Sequence, residues 1–553
     1  MLQDFGSKVS REAVRHARML KVMTETGVIR PYSPLVLVGV AKAILQRGIG
    51  FAGGIEALSV RAPSDLALVD ELGELTWKEL DERANRLAHG LQDLGVGEDD
   101  SVAVLCRNHR YFVDVSTALS KIGADILYLN TAFSAKQLGE VCEREKPAAI
   151  VYDDEFTELI DKSGTDLKRV IGWKDGDHDD ADRDHATIEE LIEKGSTDSL
   201  PVPEKATKPV ILTSGTTGTP KGAPRGESGL DGAVALLSKM PFRTGGTTYI
   251  AAPLFHTWGW AHLNLAMLLG STVVLTRKFD PQAALETLQK HDCDAMIVIP
   301  VMMQRIMKLD DDERAGDWSR LKVVAASGSA LPGDLAEEWM DAFGDNLYNT
   351  YGSTEVAWAT IAQPEDMRSA PGTAGRTPYN TVVKIYDEDG EPVEDGGSGR
   401  IFVGNTMLFG GYTGDEDEGK EMIDGLMSSG DIGRFDDEGR LFVDGRDDEM
   451  IVSGGENVFP KEVEDCLSRH DDVQDVAAFG VDDDDYGQRL RAFVVKDGDV
   501  DVDALKGWVK ENLAGYKVPR DIFFLDELPR NATGKVLKKD LKEYDDEGNP
   551  PEE

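Results

Sequence analysis

The chain has 553 residues, too many for one ordinary hydrophobic core, so about three domains or subdomains are expected. A hydrophobic content of 41% with 7% aromatics excludes a disordered protein. The 102 acidic against 60 basic residues give a net charge of −42, which repels nucleic acid and obliges any anionic ligand to meet local positive charge. The Asp runs at 179–180, 310–312 and 482–485 suit either a surface that stays hydrated in high salt or an ordinary acidic enzyme. Cys106, Cys142, Cys293 and Cys466 lie far apart without metal-like spacing; they imply a reducing compartment and are expected to carry no chemistry.

At the N-terminus, Met1-Leu-Gln-Asp-Phe-Gly lacks the basic-then-apolar order of a secretory leader, so a cytoplasmic location is expected. The apolar run from Pro34 to Leu45 is interrupted by Lys42 and falls short of the about 20 residues that span a bilayer. It reads as a helix packed on the first domain, with weak peripheral membrane contact as the alternative. Residues 1–57 are thus read as a helical extension.

Thr76 and Glu79 form a capping box ahead of a helix with Trp77, Leu80, Ala84, Leu87, Leu91 and Leu94 on one stripe. Apolar strands are expected at 102–105, 126–129 and 148–152 with helical patterns between them, which is βαβ order with buried parallel strands. The acidic stretch 174–184 interrupts this order as a solvated loop. Alternation resumes with strands expected at 248–252, 272–275, 295–299 and 323–326 and helices near 282–291 and 333–343. Shorter strands and Gly-rich turns from 382 to 403 suggest a β subdomain. A small α+β domain follows a hinge at 445–448, with helices at 460–470 and 502–514 and strands at 476–481 and 490–495. The large domain spans 58–444, the small one 449–543, and 544–553 reads as a disordered tail. The fold class is α/β with a small, mobile α+β C-terminal domain.

Within this frame, the apolar strand 209–212 leads into Thr213-Ser-Gly-Thr-Thr-Gly-Thr-Pro-Lys-Gly-Ala223. Glycines let the backbone approach a phosphate, hydroxyls and N–H groups donate to its oxygens, and Lys221 adds a point charge. The lysine sits between Pro220 and Gly222, so the spacing is not that of a Walker P-loop. Downstream come Asn349-Thr-Tyr-Gly-Ser-Thr-Glu355, Ser429-Gly-Asp-Ile-Gly433, Asp444-Gly-Arg446 and Pro529-Arg-Asn-Ala-Thr-Gly-Lys535.

At these motifs, from about Leu58 to Lys542, the chain resembles the adenylate-forming enzymes: acyl-CoA synthetases, luciferases and peptide-synthetase adenylation domains. The resemblance implies ATP, Mg²⁺ and a carboxylate substrate, and most closely bacterial fatty acyl-CoA synthetases. It implies that Thr213, Ser214, Gly215, Thr216, Thr217, Gly218 and Lys221 cradle phosphate. Tyr351 offers a ring face and Asn349 an amide edge to adenine, with Gly352 beside them. Thr354 reaches the α-phosphate, and Glu355 supplies the hard carboxylate that magnesium prefers. Asp431 accepts from the ribose hydroxyls, and Arg446 reaches the ribose or the α-phosphate. Gly328, Ser329 and Ala330 line the adenine and acyl wall.

For the acid, His256 stands where amino-acid-activating relatives carry Asp, which argues for a plain carboxylate. Trp258, Gly328 and Trp358 join it in the acyl pocket. Lys535, on the mobile loop, offsets repulsion as the carboxylate attacks the α-phosphate. Asp448 is the pivot, and Gly454 and Gly455 give room for CoA; Lys517, Arg520, Lys538 and Lys539 are candidate contacts for its phosphates. Asp447 departs from the Lys of many relatives. The expected activity is AMP-forming acid–CoA ligation through an acyl adenylate, with a medium- or long-chain fatty acid as substrate. The alternatives are an aryl acid, a carrier-protein acceptor, or a non-catalytic nucleotide- or lipid-binding protein.

Overall fold

In the computed structural model, residues 2–174, 185–213, 221–224, 230–394, 396–411, 420–449, 451–453, 456–483, 487–531, 534–545 and 548–550 are described. Three helices come first: α1 (Leu2–Glu25), α2 (Pro34–Arg47) and α3 (Phe51–Arg61). α3 buries Phe51, Ile55 and Leu58 in the main core. α2 packs on α3 as read, yet leaves most of its own apolar surface bare. Of its residues only Ala43 is buried, and it leans on α3 where Gly39 leaves room for the Val60 side chain. An apolar run looks alike in sequence whether it is covered or bare.

The capping box forms as expected: Thr76 Oγ1 accepts from the Glu79 N–H, and the Glu79 carboxylate accepts from the Thr76 N–H at 2.8 Å. These bonds depress the Glu79 carboxyl and start α4 (Trp77–Asp93), whose stripe enters the core. Strand order Ala186–Thr187, Lys168–Ile171, Ala149–Tyr152, Ser101–Leu105, Asp125–Tyr128, Pro209–Thr213 and Lys221–Pro224 makes a seven-stranded sheet, parallel except for its last pair. Buried His109 caps the helix Arg110–Ile122 through Nδ1, and its Nε2 meets Asp153 at 2.8 Å. The acidic insertion from 175 onward lies outside the described residues.

The eight-stranded sheet runs Ala357–Ala362, Leu347–Ser353, Val323–Ala326, Ala295–Val298, Thr247–Ile250, Thr272–Val274, Leu66–Asp70 and Gly73–Thr76. Its five central pairings are parallel, with near-continuous apolar runs because helices cover both faces. The expected β subdomain is an antiparallel sheet that includes Val382–Tyr386, Gly399–Gly404, Leu426–Phe435 and Leu441–Arg446.

After a 3₁₀ turn at Asp447–Glu449, the last sheet brings together Val473–Asp483, Gly487–Lys496 and the parallel strand Asp521–Leu525, with helices Pro460–Leu467 and Val502–Asn512 on its core. The tail was expected to be disordered. In its described part it turns back instead: Asp545 accepts from the Asn549 N–H at 2.8 Å, and Arg491 donates to the carbonyls of Tyr544 and Asp545. An edge-on ring neighbour (Phe493 against Tyr544) and a buried cation supply the anchors that composition alone does not show.

Candidate active site

Parallel strands deliver the site, since ligands of open α/β sheets sit beyond the carboxyl ends of the strands. Pro209–Thr213, Val323–Ala326 and Leu347–Ser353 carry a predicted residue at or just past that end, and Thr247–Ile250 leads six residues on to His256. Gly328 turns the chain in the left-handed region at φ +97°, where glycine alone is unstrained. Ser327 Oγ fixes this turn by donating to the Thr350 carbonyl at 2.7 Å. Ser329 is half-buried beside it and Ala330 is exposed.

A bulge interrupts the pairing between Tyr351 and Gly352. A Cβ at Gly352 would lie 1.8 Å from the Ala357 carbonyl oxygen, so only glycine fits. Ala357 itself is held at φ +55°, a strained setting for a buried alanine. The loop between them presents Thr354 and Glu355. Thr354 Oγ1 is 3.4 Å from the Thr257 hydroxyl, and the Glu355 carbonyl accepts from the Phe409 N–H at 2.9 Å. The loop after the bulge thus sets Thr354 beside Thr257 and ties the Glu355 backbone to Phe409.

The Tyr351 hydroxyl donates to the Asp431 carboxylate at 2.5 Å and lies 3.2 Å from Ser429 Oγ. Asp431 and Arg446 face each other across paired strands, with Nε to Oδ1 at 3.8 Å. Burial holds the Asp431 carboxyl above the usual carboxylate range; the Tyr351 bond and the fields of Arg446, Lys535 and Lys420 oppose it. Burial, followed by the charge of Asp431, pushes the Tyr351 phenol far up, so it remains a donor. Asn349 is buried on the same strand. Ser429, Lys420 and Thr257 were not singled out from sequence. Ser429 had a signal in the Ser-Gly-Asp turn, whereas Lys420 had none.

His256 precedes the helix Thr257–Leu269, and its buried Nε2 has no hydrogen-bond partner among the described residues. Burial pushes its imidazole down to about 4, so it is neutral at ordinary pH. Trp258 and Trp358 meet edge to face, ring centroids 5.9 Å apart and planes at 83°. Each indole is pinned: Trp258 Nε1 donates to the Val298 carbonyl at 3.0 Å, and Trp358 Nε1 to the Gly232 carbonyl at 3.3 Å.

Lys535 is exposed on a loop closed by mutual bonds: its N–H donates to Asn531 Oδ1 and its carbonyl accepts from the Asn531 N–H, both at 2.9 Å. Gly534, at φ +78°, seats this loop against the large domain, where an added Cβ would fall 2.4 Å from Val301 Cγ1. The structure therefore brings Lys535, Asp431, Arg446 and Tyr351 to one place. Two other lysines are engaged elsewhere. Lys517 pairs with Glu462, and Lys538 with Glu449 and Glu464 at 2.8 and 3.1 Å. Asp447 pairs with Arg400 at 3.3 Å.

Ser214, Gly215, Thr216, Thr217, Gly218, Gly454 and Gly455 lie outside the described residues, as do the side chains of Thr213, Lys221 and Asp448. The backbones of Thr213 and Lys221 pair across the last two strands of the first sheet. Hard oxygen at Glu355, hydroxyls at Thr354 and Thr257, and cations at Arg446, Lys420 and Lys535 together fit a magnesium-bound triphosphate.

The AMP-binding enzyme family matches residues 56–413, and its C-terminal domain family matches residues 462–535. A feruloyl-CoA synthase from Amycolatopsis is 32% identical over 474 residues, 85% of this chain and 93% of that protein. Among solved structures, the o-succinylbenzoate CoA synthetase of Bacillus subtilis in complex with its acyl-adenylate intermediate has a TM-score of 0.77 at 27% identity, covering 88% of this chain and 97% of that one. The same enzyme in complex with ATP and a magnesium ion gives 0.77 at 26%, covering 88% and 99%. The chain therefore belongs to the AMP-binding, adenylate-forming enzymes, as an AMP-forming acid–CoA ligase that uses ATP with magnesium and CoA.

Proposed function

We propose that the acid this ligase activates is aromatic. The observation that carries this reading is the Trp258–Trp358 pair. Two large rings, both hydrogen-bonded to backbone, make a rigid wall that suits a flat ring and obstructs an extended alkyl chain. The fatty acid expected from sequence gives way on this ground, and because the relatives above are named for feruloyl and succinylbenzoate acids.

In this reading His256, neutral and with one ring nitrogen unpartnered among the described residues, turns to the substrate carboxylate or its neighbouring carbonyl. The phosphate loop at 213–221, Thr354 and Arg446 hold the triphosphate, and Asp431 takes the ribose in place of the Tyr351 hydroxyl. Glu355 would hold magnesium, which when bound neutralises phosphate charge. Lys535 offsets the repulsion between the two anions as the carboxylate approaches the α-phosphate. The hinge at 445–448 then carries the small domain away so that the thiol can enter past Gly454 and Gly455.

The test is one reaction panel with protein, Mg-ATP, CoA and acids from acetate through palmitate, together with benzoate, cinnamate, ferulate and 2-succinylbenzoate. Mass spectrometry scores AMP and thioester together. Thioesters confined to the aromatic acids are expected; a palmitoyl or octanoyl thioester as the best product would overturn the reading.

A further inference from the structure

We infer that α2 and its flanks form a docking surface for an anionic lipid bilayer. Nine of the fifteen exposed large apolar side chains among the described residues fall between Val14 and Val60. The densest group is on α2, where Leu35 and Leu45 are each 85% exposed and Val38 is 68% exposed. With Lys42 and Ile49 they recur at spacings of three and four along one helical stripe. No acidic residue occurs anywhere in Pro34–Arg47. A bare apolar stripe carrying one flexible lysine is the pattern of a helix that lies in the headgroup region, its cation rising to the phosphates.

Charge selects the occupant. The first 62 residues hold nine Lys and Arg against four Asp and Glu, a net of +5, whereas the remainder of the chain carries −47. An anionic surface attracts this end and repels the rest, which orients the molecule with α2 against the lipid. A second copy docked symmetrically through the same face would set +5 against +5. The remaining exposed large apolar side chains, such as Leu72, Val202, Val382 and Met422, lie far apart in sequence and offer no stripe to receive α2 in a head-to-tail contact. Arg30 sits beside α2, its Nε donating to the Tyr32 hydroxyl at 2.6 Å, so an aromatic and a guanidinium flank the stripe where a headgroup would lie.

The experiment is co-sedimentation of the full chain with vesicles of phosphatidylcholine, alone or mixed with equal phosphatidylglycerol. The protein is expected to pellet with the mixed vesicles, less with the neutral ones, and less as salt is raised. The double variant Leu35→Gln, Leu45→Gln should lower the partition coefficient about tenfold or more, and Lys42→Glu should lower it on the mixed vesicles only. Leu72→Gln, which alters an exposed leucine outside the stripe, should change nothing. All four side chains are exposed, and an unchanged thermal melt and ligase activity confirm that the variants fold. Failure to pellet with mixed vesicles, or an equal response to Leu72→Gln, overturns the inference. So does a dimer in light scattering that the double variant dissociates, because the stripe would then belong to a second copy.

Discussion

The Tyr351 hydroxyl is hydrogen-bonded to the Asp431 carboxylate across eighty residues of sequence, at 2.5 Å. The phenol fills a place that the ribose hydroxyls are proposed to take, and its bond opposes the burial that raises the Asp431 carboxyl in the free enzyme. Tyr351→Phe removes a group that favours the charged form and leaves burial unopposed by it. The Asp431 pKa should rise further, and nucleotide binding that needs the carboxylate is lost as pH falls through that value. The acid limb of kcat/KM for ATP therefore moves to higher pH, whereas at neutral pH, where the ribose replaces the phenol on Asp431, the loss should be small. An acid limb in the same place for both proteins would sink this role.

Lys535→Ala should lower adenylate formation by ~10²-fold or more, because the contact strengthens as charge develops. Thioester formation from supplied acyl-AMP should be nearly intact. Separate assays of pyrophosphate release and of CoA acylation check this, and equal losses in both would remove the lysine from its proposed step.

Trp358→Ala opens the wall proposed for the acyl group. The ratio of kcat/KM for octanoate over cinnamate should rise about tenfold, within the range that hydrophobic pocket contacts discriminate. A melt on the same preparation separates this effect from lost packing. Unchanged selectivity in a folded variant would place the acyl group elsewhere.

Two histidines make the protein sensitive to acid. Burial pushes His262 down to about 4 in the folded state, against an ordinary value near 6.5. A depressed histidine means that the unfolded chain binds the proton first. Stability from this group is thus complete above the unfolded pKa and declines as pH falls toward the folded one, by on the order of 3 kcal/mol. His256 acts in the same direction. Urea unfolding at several pH values, followed by the summed fluorescence of the eight tryptophans, Trp258 beside His262 among them, should show a flatter decline for His262→Leu. An identical pH dependence in the variant would contradict the assignment.

Asp447 and Arg400 join the turn after the β subdomain to that subdomain at 3.3 Å. Breaking the pair by Asp447→Asn should speed the thioester half-reaction relative to adenylation, if release of the small domain limits the former. Single-turnover traces of the two halves read the ratio directly, and an unaltered ratio would mean that this ion pair does not hold the small domain back.

Local signals were legible in sequence. The Thr76–Glu79 box needs only its own four residues, and the buried parallel strands declare themselves as short apolar runs between helical stripes. The motifs proposed for the site stand out wherever several chemistry-bearing residues lie together in sequence. The Tyr351–Asp431 bond was not legible, because two strands from different sheets make it and neither neighbourhood mentions the other. Lys420 is one lysine after an acidic run, and its nearness to Gly430 and Asp431 shows only in the fold. The bareness of α2 was hidden for a different reason: apolarity says that a surface favours leaving water, but not whether protein supplies the cover.

The four cysteines offer an internal record of motion. All are buried, and burial pushes Cys142 to about 11, Cys293 to about 12, and Cys106 and Cys466 above their ordinary value. An alkylating reagent attacks the thiolate, so each sulfur stays silent until its own surroundings open. Cys106 and Cys142 report on the first sheet, Cys293 on the second, and Cys466 on the helix of the small domain. A rigid swing of the small domain leaves Cys466 unlabelled, whereas loosening of its core exposes the thiol. Labelling during turnover, read by peptide mass, would therefore distinguish a domain that travels whole from one that melts in order to move.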